Sequence, residues 1–344
     1  MNRKLCVFTL YFAYNRQVRL RYLEKIMPKD VELFLFTKEN EKSKFSLKRF
    51  KIFTCKSDFS SFFELRKFCK EHKIDAILNL GQLPQEGCVM IFSTMFSKTK
   101  SFIYMVGNPF YNAKNHKKGW KFKAFIESIF FFPLLYFPDK FFFASDDLMQ
   151  AVKKLSIFKN KIKYLPGTID TSLFKPKKLK KAKKNLIFVG RIEYSKGADI
   201  ILELAKLNKD ITFILIGNVD DKKFEKPIEN IKIYPPQASE KLVNFYNASD
   251  LCIFPSRIEG FGLVPREAMA CGVPAMVSDI YALRRIKQAI KVPISVENFN
   301  KAIKDFFKLS IKQRKELGEK SRENIIKEYS DQACKGLYLR ELLE

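Results

Sequence analysis

The chain has 344 residues, 47% of them hydrophobic, and its 64 Lys+Arg against 37 Asp+Glu leave a formal net charge of +27. That apolar content excludes a disordered chain and the length suits two domains, while seven scattered cysteines without a C-x-x-C pair exclude a disulfide scaffold and read as reduced thiols. The cationic surplus favours an anionic partner such as membrane phospholipid, nucleic acid or a phosphorylated substrate, although a lysine-rich, AT-biased genome would produce the same composition. Met1-Asn2-Arg3-Lys4 leads into a strand-like run with no small-residue cleavage site, so no signal peptide is expected. The apolar runs are too short to span a bilayer.

In chain order, Leu5–Leu10 reads as a first strand, Asn15–Met27 as an arginine-bearing helix, and Val31–Phe36 as a second strand. Ile52-Phe53, Ile74–Leu78 and Phe102–Val106 continue the strands, with an amphipathic helix over Phe59–Cys69. Residues 114–137 combine Lys114, His116, Lys117, Lys118, Trp120, Lys121 and Lys123 with a run of phenylalanines from Phe125 to Phe137. This segment is either an interfacial membrane contact or a core helix broken at Pro133. Lys140–Phe143 is a strand, a helix follows from Ser145 to Leu155, and Ile162–Leu165 is extended. The lysine-rich stretch before residue 185 suits a linker. A second series then runs through strands at Leu186–Gly190, Ile211–Gly217, Ile231–Tyr234, Leu251–Phe254 and Val273–Val277, with helices near 197–207, 239–248, 264–271 and 299–309. Strands alternating with helices predict parallel, doubly wound sheets. The expected divisions are 1–170, a linker 171–184, 185–320, and a C-terminal helix 321–344 packing back on the first domain.

Two segments carry the chemistry. After the strand ending at Phe254, residues 256–272 place Gly260 and Gly262 between Glu259 and Glu267, with Pro265 where a helix could begin and Gly272 where it could end. A helix N-terminus after a glycine loop attracts phosphate, here through the amides of Gly260, Phe261, Gly262, Leu263 and Val264. Two carboxylates beside an anion site would repel it unless they were aimed at neutral hydroxyls, and a sugar nucleotide offers both phosphates and hydroxyls. The other segment, Gly190–Gly197, lies between the first strand and helix of the second series and supplies Arg191 and Lys196. Ligands of open α/β sheets bind beyond the carboxyl ends of strands, so both cations project toward the same crevice.

The combination G-R-x4-K-G, a strand ending in Pro255-Ser256, and E-G-F-G-L-V-x2-E-A-M-A-C-G-x-P resembles the retaining glycosyltransferase family 4, glycosyl transferases group 1. The resemblance extends to Tyr164–Asp170 with Phe174 and Pro176, and to Leu242, Tyr246, Ala248 and Asp250. It implies a GT-B fold, two Rossmann-like domains facing a central cleft. It also implies a retaining, metal-independent EC 2.4 transferase that moves a sugar from a nucleotide-diphosphate donor, UDP- or GDP-linked, to a glycan or polyprenyl- or lipid-linked acceptor. Surface polysaccharide, glycolipid or glycoprotein glycan assembly is the setting it suggests. By the resemblance Arg191 and Lys196 stabilise the leaving diphosphate, Glu259 meets the transferred sugar, Glu267 takes the ribose hydroxyls, and Gly190 with residues 260–264 completes the donor site. No metal or other cofactor is implied.

The chain departs from the family pattern in the first domain. Tyr11–Arg16 replaces a glycine-rich loop, and Asn108 stands where the family has a histidine. Asn108, Asn15 and Arg16 are therefore the candidate sugar or acceptor contacts, whereas His72 and His116 read as solvated. These departures leave a non-catalytic sugar-nucleotide or glycan-binding homologue as the alternative. The expected partners are the donor, the acceptor and an anionic membrane touched by the basic first domain, in the cytoplasm or at the inner membrane face. No nucleic-acid recognition motif is present, so nucleic acid is not expected.

Overall fold

The computed structural model describes residues 3–344 apart from 12–13, 45, 81–83, 107–136, 157, 179–183, 222–223 and 225–227, and the side chains at 14–15, 42–44, 84–85, 146–148, 151 and 155 are also outside the described set. Asn108, His116 and most of the phenylalanine run thus lie outside the described residues. The chain forms two units, one of residues 1–167 with 335–344 and the other of residues 168–334.

In the first unit, apolar runs with both faces covered build seven strands: β1 (Lys4–Phe8), β2 (Glu32–Lys38), β3 (Phe50–Cys55), β4 (Ala76–Asn79), β5 (Lys100–Met105), β6 (Lys140–Phe143) and β7 (Ile162–Tyr164). They lie in the order β3-β2-β1-β4-β5-β6-β7 with parallel pairing throughout. Such strands are buried on both sides and so lack polar alternation. One face is covered by α2 (Ser61–His72), α3 (Pro84–Thr94) and α4 (Asp146–Leu155), whose Leu65, Phe68, Ile91, Met149 and Val152 meet Phe8, Phe36, Ile77 and Phe143. The helix α1 (Tyr14–Ile26) carries Arg19, whose guanidinium lies 3.5 Å from the Tyr104 ring centroid. The segment over α3 showed no helical pattern in sequence. Pro84 opens it at a position where a missing N–H costs nothing. His72, expected in solvent, instead packs its ring 4.7 Å from Phe53 and 4.8 Å from Phe68.

The second unit has six parallel strands, β8 (Asn185–Val189), β9 (Thr212–Ile216), β10 (Ile231–Tyr234), β11 (Leu251–Phe254), β12 (Ala275–Ser278) and β13 (Ile290–Val292), in the order β10-β9-β8-β11-β12-β13. Its helices are α5 (Ala198–Leu207), α6 (Ser239–Asn247), α7 (Leu263–Ala270), α8 (Tyr281–Arg284), α9 (Val296–Lys308) and α10 (Ile311–Tyr329). The strand order reverses between β8 and β11, so the loops that follow these two strands leave the sheet side by side. The helix α10 is nearly polar all round. It is started by a capping box between Ser310 and Gln313 rather than announced by an apolar stripe.

Two expected boundaries move. Residues 171–178 of the expected linker pack on the second unit: Phe174 is buried beside Tyr246, at 6.1 Å between rings, and Lys177 N–H donates to Asn247 Oδ1. The return to the first unit comes at residue 335, within α11 (Asp331–Leu343), rather than at 321. Tyr338 anchors it, meeting the Tyr22 ring edge-on at 4.8 Å, donating to Pro166 O at 2.7 Å and accepting from Arg19 at 3.0 Å. No helix among the described residues is long and apolar enough to cross a membrane. All seven cysteines are free and buried.

Removing the Tyr338 ring leaves a cavity and strands the Arg19 donor. Tyr338→Ala is expected to destabilise the first unit by about 3–5 kcal/mol, read as a lowered denaturant midpoint. Tyr338→Phe should cost about 1 kcal/mol, since it loses only the hydroxyl.

Candidate active site in the second unit

The loops after β8 and β11 are fitted together by backbone. Gly197 ends the first loop with φ +78, and a Cβ there would overlap the Pro255 carbonyl at the start of the second. Glycine is required on both counts. Across this contact Arg257 N–H donates to Ser195 O at 2.9 Å. Arg257 also forks onto Asp199 at 2.7 and 2.8 Å, with its guanidinium 3.9 Å from the Tyr194 ring centroid. The two loops therefore form one rigid rim.

Lys196 and Glu259 meet on that rim. Lys196 Nζ lies 2.6 Å from Glu259 Oε2 and donates to Ile258 O at 3.0 Å, with both side chains about four-fifths buried. Arg191 is more exposed and is held by Glu193 through contacts of 2.9 and 3.0 Å. Ser195 Oγ donates to the same Glu193. Each expected cation is thus present, and each is neutralised by a carboxylate of its own loop system.

The glycine loop rises into α7, which begins at Leu263 behind the left-handed Gly262 (φ +73). This corrects the expected start at Pro265, which occupies the third helical position; its missing N–H still falls among the first-turn donors that have no intrahelical acceptor. Gly272 (φ +73) follows the helix end as expected. Among the described residues, no N–H group from Gly260 to Val264 donates to a backbone or side-chain acceptor, so five donors in the glycine loop and the first turn of α7 are unpaired. Phe261 is buried, with its ring 5.6 Å from Tyr329.

A buried arginine that sequence reasoning did not single out holds this loop. Arg266 Nη1 donates to Phe261 O and, at 3.2 Å, to Gly262 O, and its guanidinium sits 4.0 and 4.5 Å from the Phe261 and Tyr329 ring centroids. The available signal was an arginine inside a short helix whose one other charged residue is Glu267. One residue on, Glu267 is buried and accepts from Tyr246 Oη at 2.9 Å. Burial pushes its carboxyl up to about 7, and Tyr246 is in turn raised by burial and by Glu267.

The candidate residues of the first unit stand apart from this group in the chain. Arg16 is buried: it donates to Thr9 Oγ1, to Tyr11 O at 2.6 Å and to Glu86 Oε1 at 3.4 Å, so its guanidinium braces the loop after β1. Asn15 belongs to α1, with its side chain outside the described set.

Residues 170–324 match the sequence profile of the family described as glycosyl transferases group 1. D-inositol 3-phosphate glycosyltransferase of Mycolicibacterium gilvum is 32% identical over 114 residues, covering 30% of this chain and 26% of the relative. The match to such curated relatives therefore spans about a quarter of their length. Among solved structures, sucrose-phosphate synthase from Thermosynechococcus elongatus superposes with a TM-score of 0.83 at 15% identity, covering 99% of both chains. HepE of Anabaena, in complex with UDP and glucose, gives 0.79 at 12% identity, covering 99% of this chain and 100% of that one. At such identities these likenesses establish the fold, GT-B with two Rossmann-like units.

The raised Glu267 carboxyl has a sign that can be checked. A carboxyl with a folded value near 7 and an ordinary unfolded value near 4.5 binds more protons when folded, so its contribution falls as pH rises between those values. Above pH 7 the ionised, buried carboxylate costs about 3 kcal/mol relative to the unfolded chain. Glu267→Gln is therefore expected to raise the melting temperature of the ligand-free protein at pH 8 and to change it little at pH 4.5. A gain that is equal at both pH values would contradict this.

Proposed function

We propose that the protein is a retaining, metal-independent glycosyltransferase of family 4. In this reading it moves a sugar from a nucleoside-diphosphate sugar to a glycan or lipid-linked acceptor in surface polysaccharide, glycolipid or glycoprotein glycan assembly. The observation that carries the reading is the rim at the switch point of the second unit, where Lys196, Glu259, five unpaired amides and Glu267 are set on rigid backbone. The UDP and glucose bound by HepE, whose fold this chain shares, support a nucleotide-sugar donor with UDP as its first candidate.

On donor arrival the diphosphate oxygens take the Gly260–Val264 amides and become partners of Arg191 and Lys196, which now rest on Glu193 and Glu259. The bond between the sugar's anomeric carbon and the phosphate oxygen breaks, and the electron pair leaves with the nucleoside diphosphate. The two cations neutralise the charge gained there, the work a divalent metal would otherwise do. The acceptor oxygen attacks from the same face, and its proton passes to the departing phosphate oxygen. Glu259, released from Lys196, accepts from the sugar hydroxyls, while Glu267 ionises and accepts from the two ribose hydroxyls. Tyr246 leaves one oxygen of that carboxylate free for this task. Ionised Glu267 favours donor binding above pH 7, and its protonation weakens binding below.

Lys196→Ala is expected to lower transfer at least about a hundredfold, in line with loss of one preorganised donor to a developing anion, while the protein remains folded by circular dichroism. The product's anomeric proton coupling should match that of the donor. Parental turnover in the variant, or an inverted product, would remove the assignment.

A further inference from the structure

The end of the first unit opposite its ligand-binding strand ends carries two adjoining cavities. One, of about 240 Å³, is lined by Arg3, Lys4, Asp75, Lys98, Lys100 and Leu342 among others. The second, of about 370 Å³, is an apolar groove whose walls include Ile91, Met95, Phe96 and Phe137. Lys98 and Lys100 line both, so a cationic basin opens directly into an apolar channel.

The two aspartates that line these cavities are already engaged by neighbouring N–H and O–H donors. Asp75 Oδ2 accepts from Lys4 N–H at 2.7 Å, and Asp139 Oδ2 accepts from Ser101 N–H and Oγ at 2.7 and 3.1 Å. Lys4 Nζ donates to His72 O and Lys100 Nζ to Glu344 O, each at 3.0 Å. Arg3 and Lys98 have no carboxylate partner among the described residues. At the lip of the groove, Phe96 is 97% exposed and holds φ +62, and Phe137 is 56% exposed. A bulky residue in left-handed backbone with its ring in water is unfavourable twice over, and no contact among the described residues repays it.

We propose that this end of the first unit is a docking surface for bilayers containing anionic phospholipid. The lipid phosphate sits over Arg3 and Lys98, and acyl chain or glycerol backbone enters beside Ile91 and Met95, with the Phe96 and Phe137 rings at the acyl boundary. A free phosphate would use the cationic basin alone and leave the groove and the Phe96 ring without a role. A bilayer uses both. This refines the membrane contact expected of the first domain and stands independently of the transferase reading.

Sedimentation of the full chain with phosphatidylglycerol–phosphatidylcholine vesicles tests it. The parent should bind these vesicles, lose them at high salt and bind pure phosphatidylcholine poorly. Phe96→Ser should weaken binding about tenfold and Lys98→Ser about fivefold. Both sites are exposed, so melting temperature should not move. Phe63→Ser, at an exposed ring on α2, should leave binding intact. Equal binding of the parent and both groove variants would overturn the proposal. So would loss of binding in Phe63→Ser instead, equal affinity for phosphatidylcholine alone, or retention on RNA but not on vesicles.

Discussion

The site depends on how closely two pieces of backbone can approach. In the second unit the loops after β8 and β11 leave the sheet as neighbours because the strand order reverses between them. Gly197, with φ +78 and no side chain, lets the first loop rest on the Pro255 carbonyl of the second. The polar contacts that cross between the loops rest on that fit: Arg257 with Ser195 and Asp199, and Lys196 with Glu259. Any larger residue at position 197 would part the loops and separate the cation from the glycine loop it serves.

Electrostatics then hold the ligand-free rim in a neutral, waiting state. Arg191 and Lys196 rest on Glu193 and Glu259, so neither cation is left uncompensated before a diphosphate arrives. Below the glycine loop, Arg266 lies against the rings of Phe261 and Tyr329 and donates to the loop carbonyls of Phe261 and Gly262. Its charge is buried, yet it is paired with carbonyl dipoles and aromatic faces rather than with a carboxylate. Glu267 is buried deeply enough for its proton to be held near neutrality. A polar ligand that needs the carboxylate must therefore draw that proton off.

Much of this was legible in the sequence because it depends on local backbone chemistry. Strand–glycine–helix order, Gly272 at the helix end, and the paired loops at 190–197 and 256–272 follow from punctuation residues whose conformations are restricted. The start of α7 was misplaced by two residues because Pro265 tolerates the third helical position as well as the first. Arg266 was not singled out, and Tyr246 only as part of the resemblance, because their roles come from what they meet in space, Tyr329 and Glu267, and no local spacing encodes that. The first half of α10, before the helix expected from residue 321, was missed for another reason: it has no apolar stripe and is specified by its cap and by the small Gly318. In the first unit the strand pattern was plain, but Arg16, read as a ligand contact, turns inward to Thr9, Tyr11 and Glu86. An arginine near a strand end looks the same in sequence whether it faces a ligand or braces a loop.

The central claim is that the rim at residues 190–197 and 256–267 binds a nucleoside diphosphate. Titration calorimetry of the full chain with UDP, GDP and ADP at pH 8, without added metal, tests it most directly. The account predicts saturable one-to-one binding of at least one of the three, weakening as the pH is lowered through 7 with proton release into the buffer. Absence of binding by all three, or an affinity that does not change across that pH range, would contradict it.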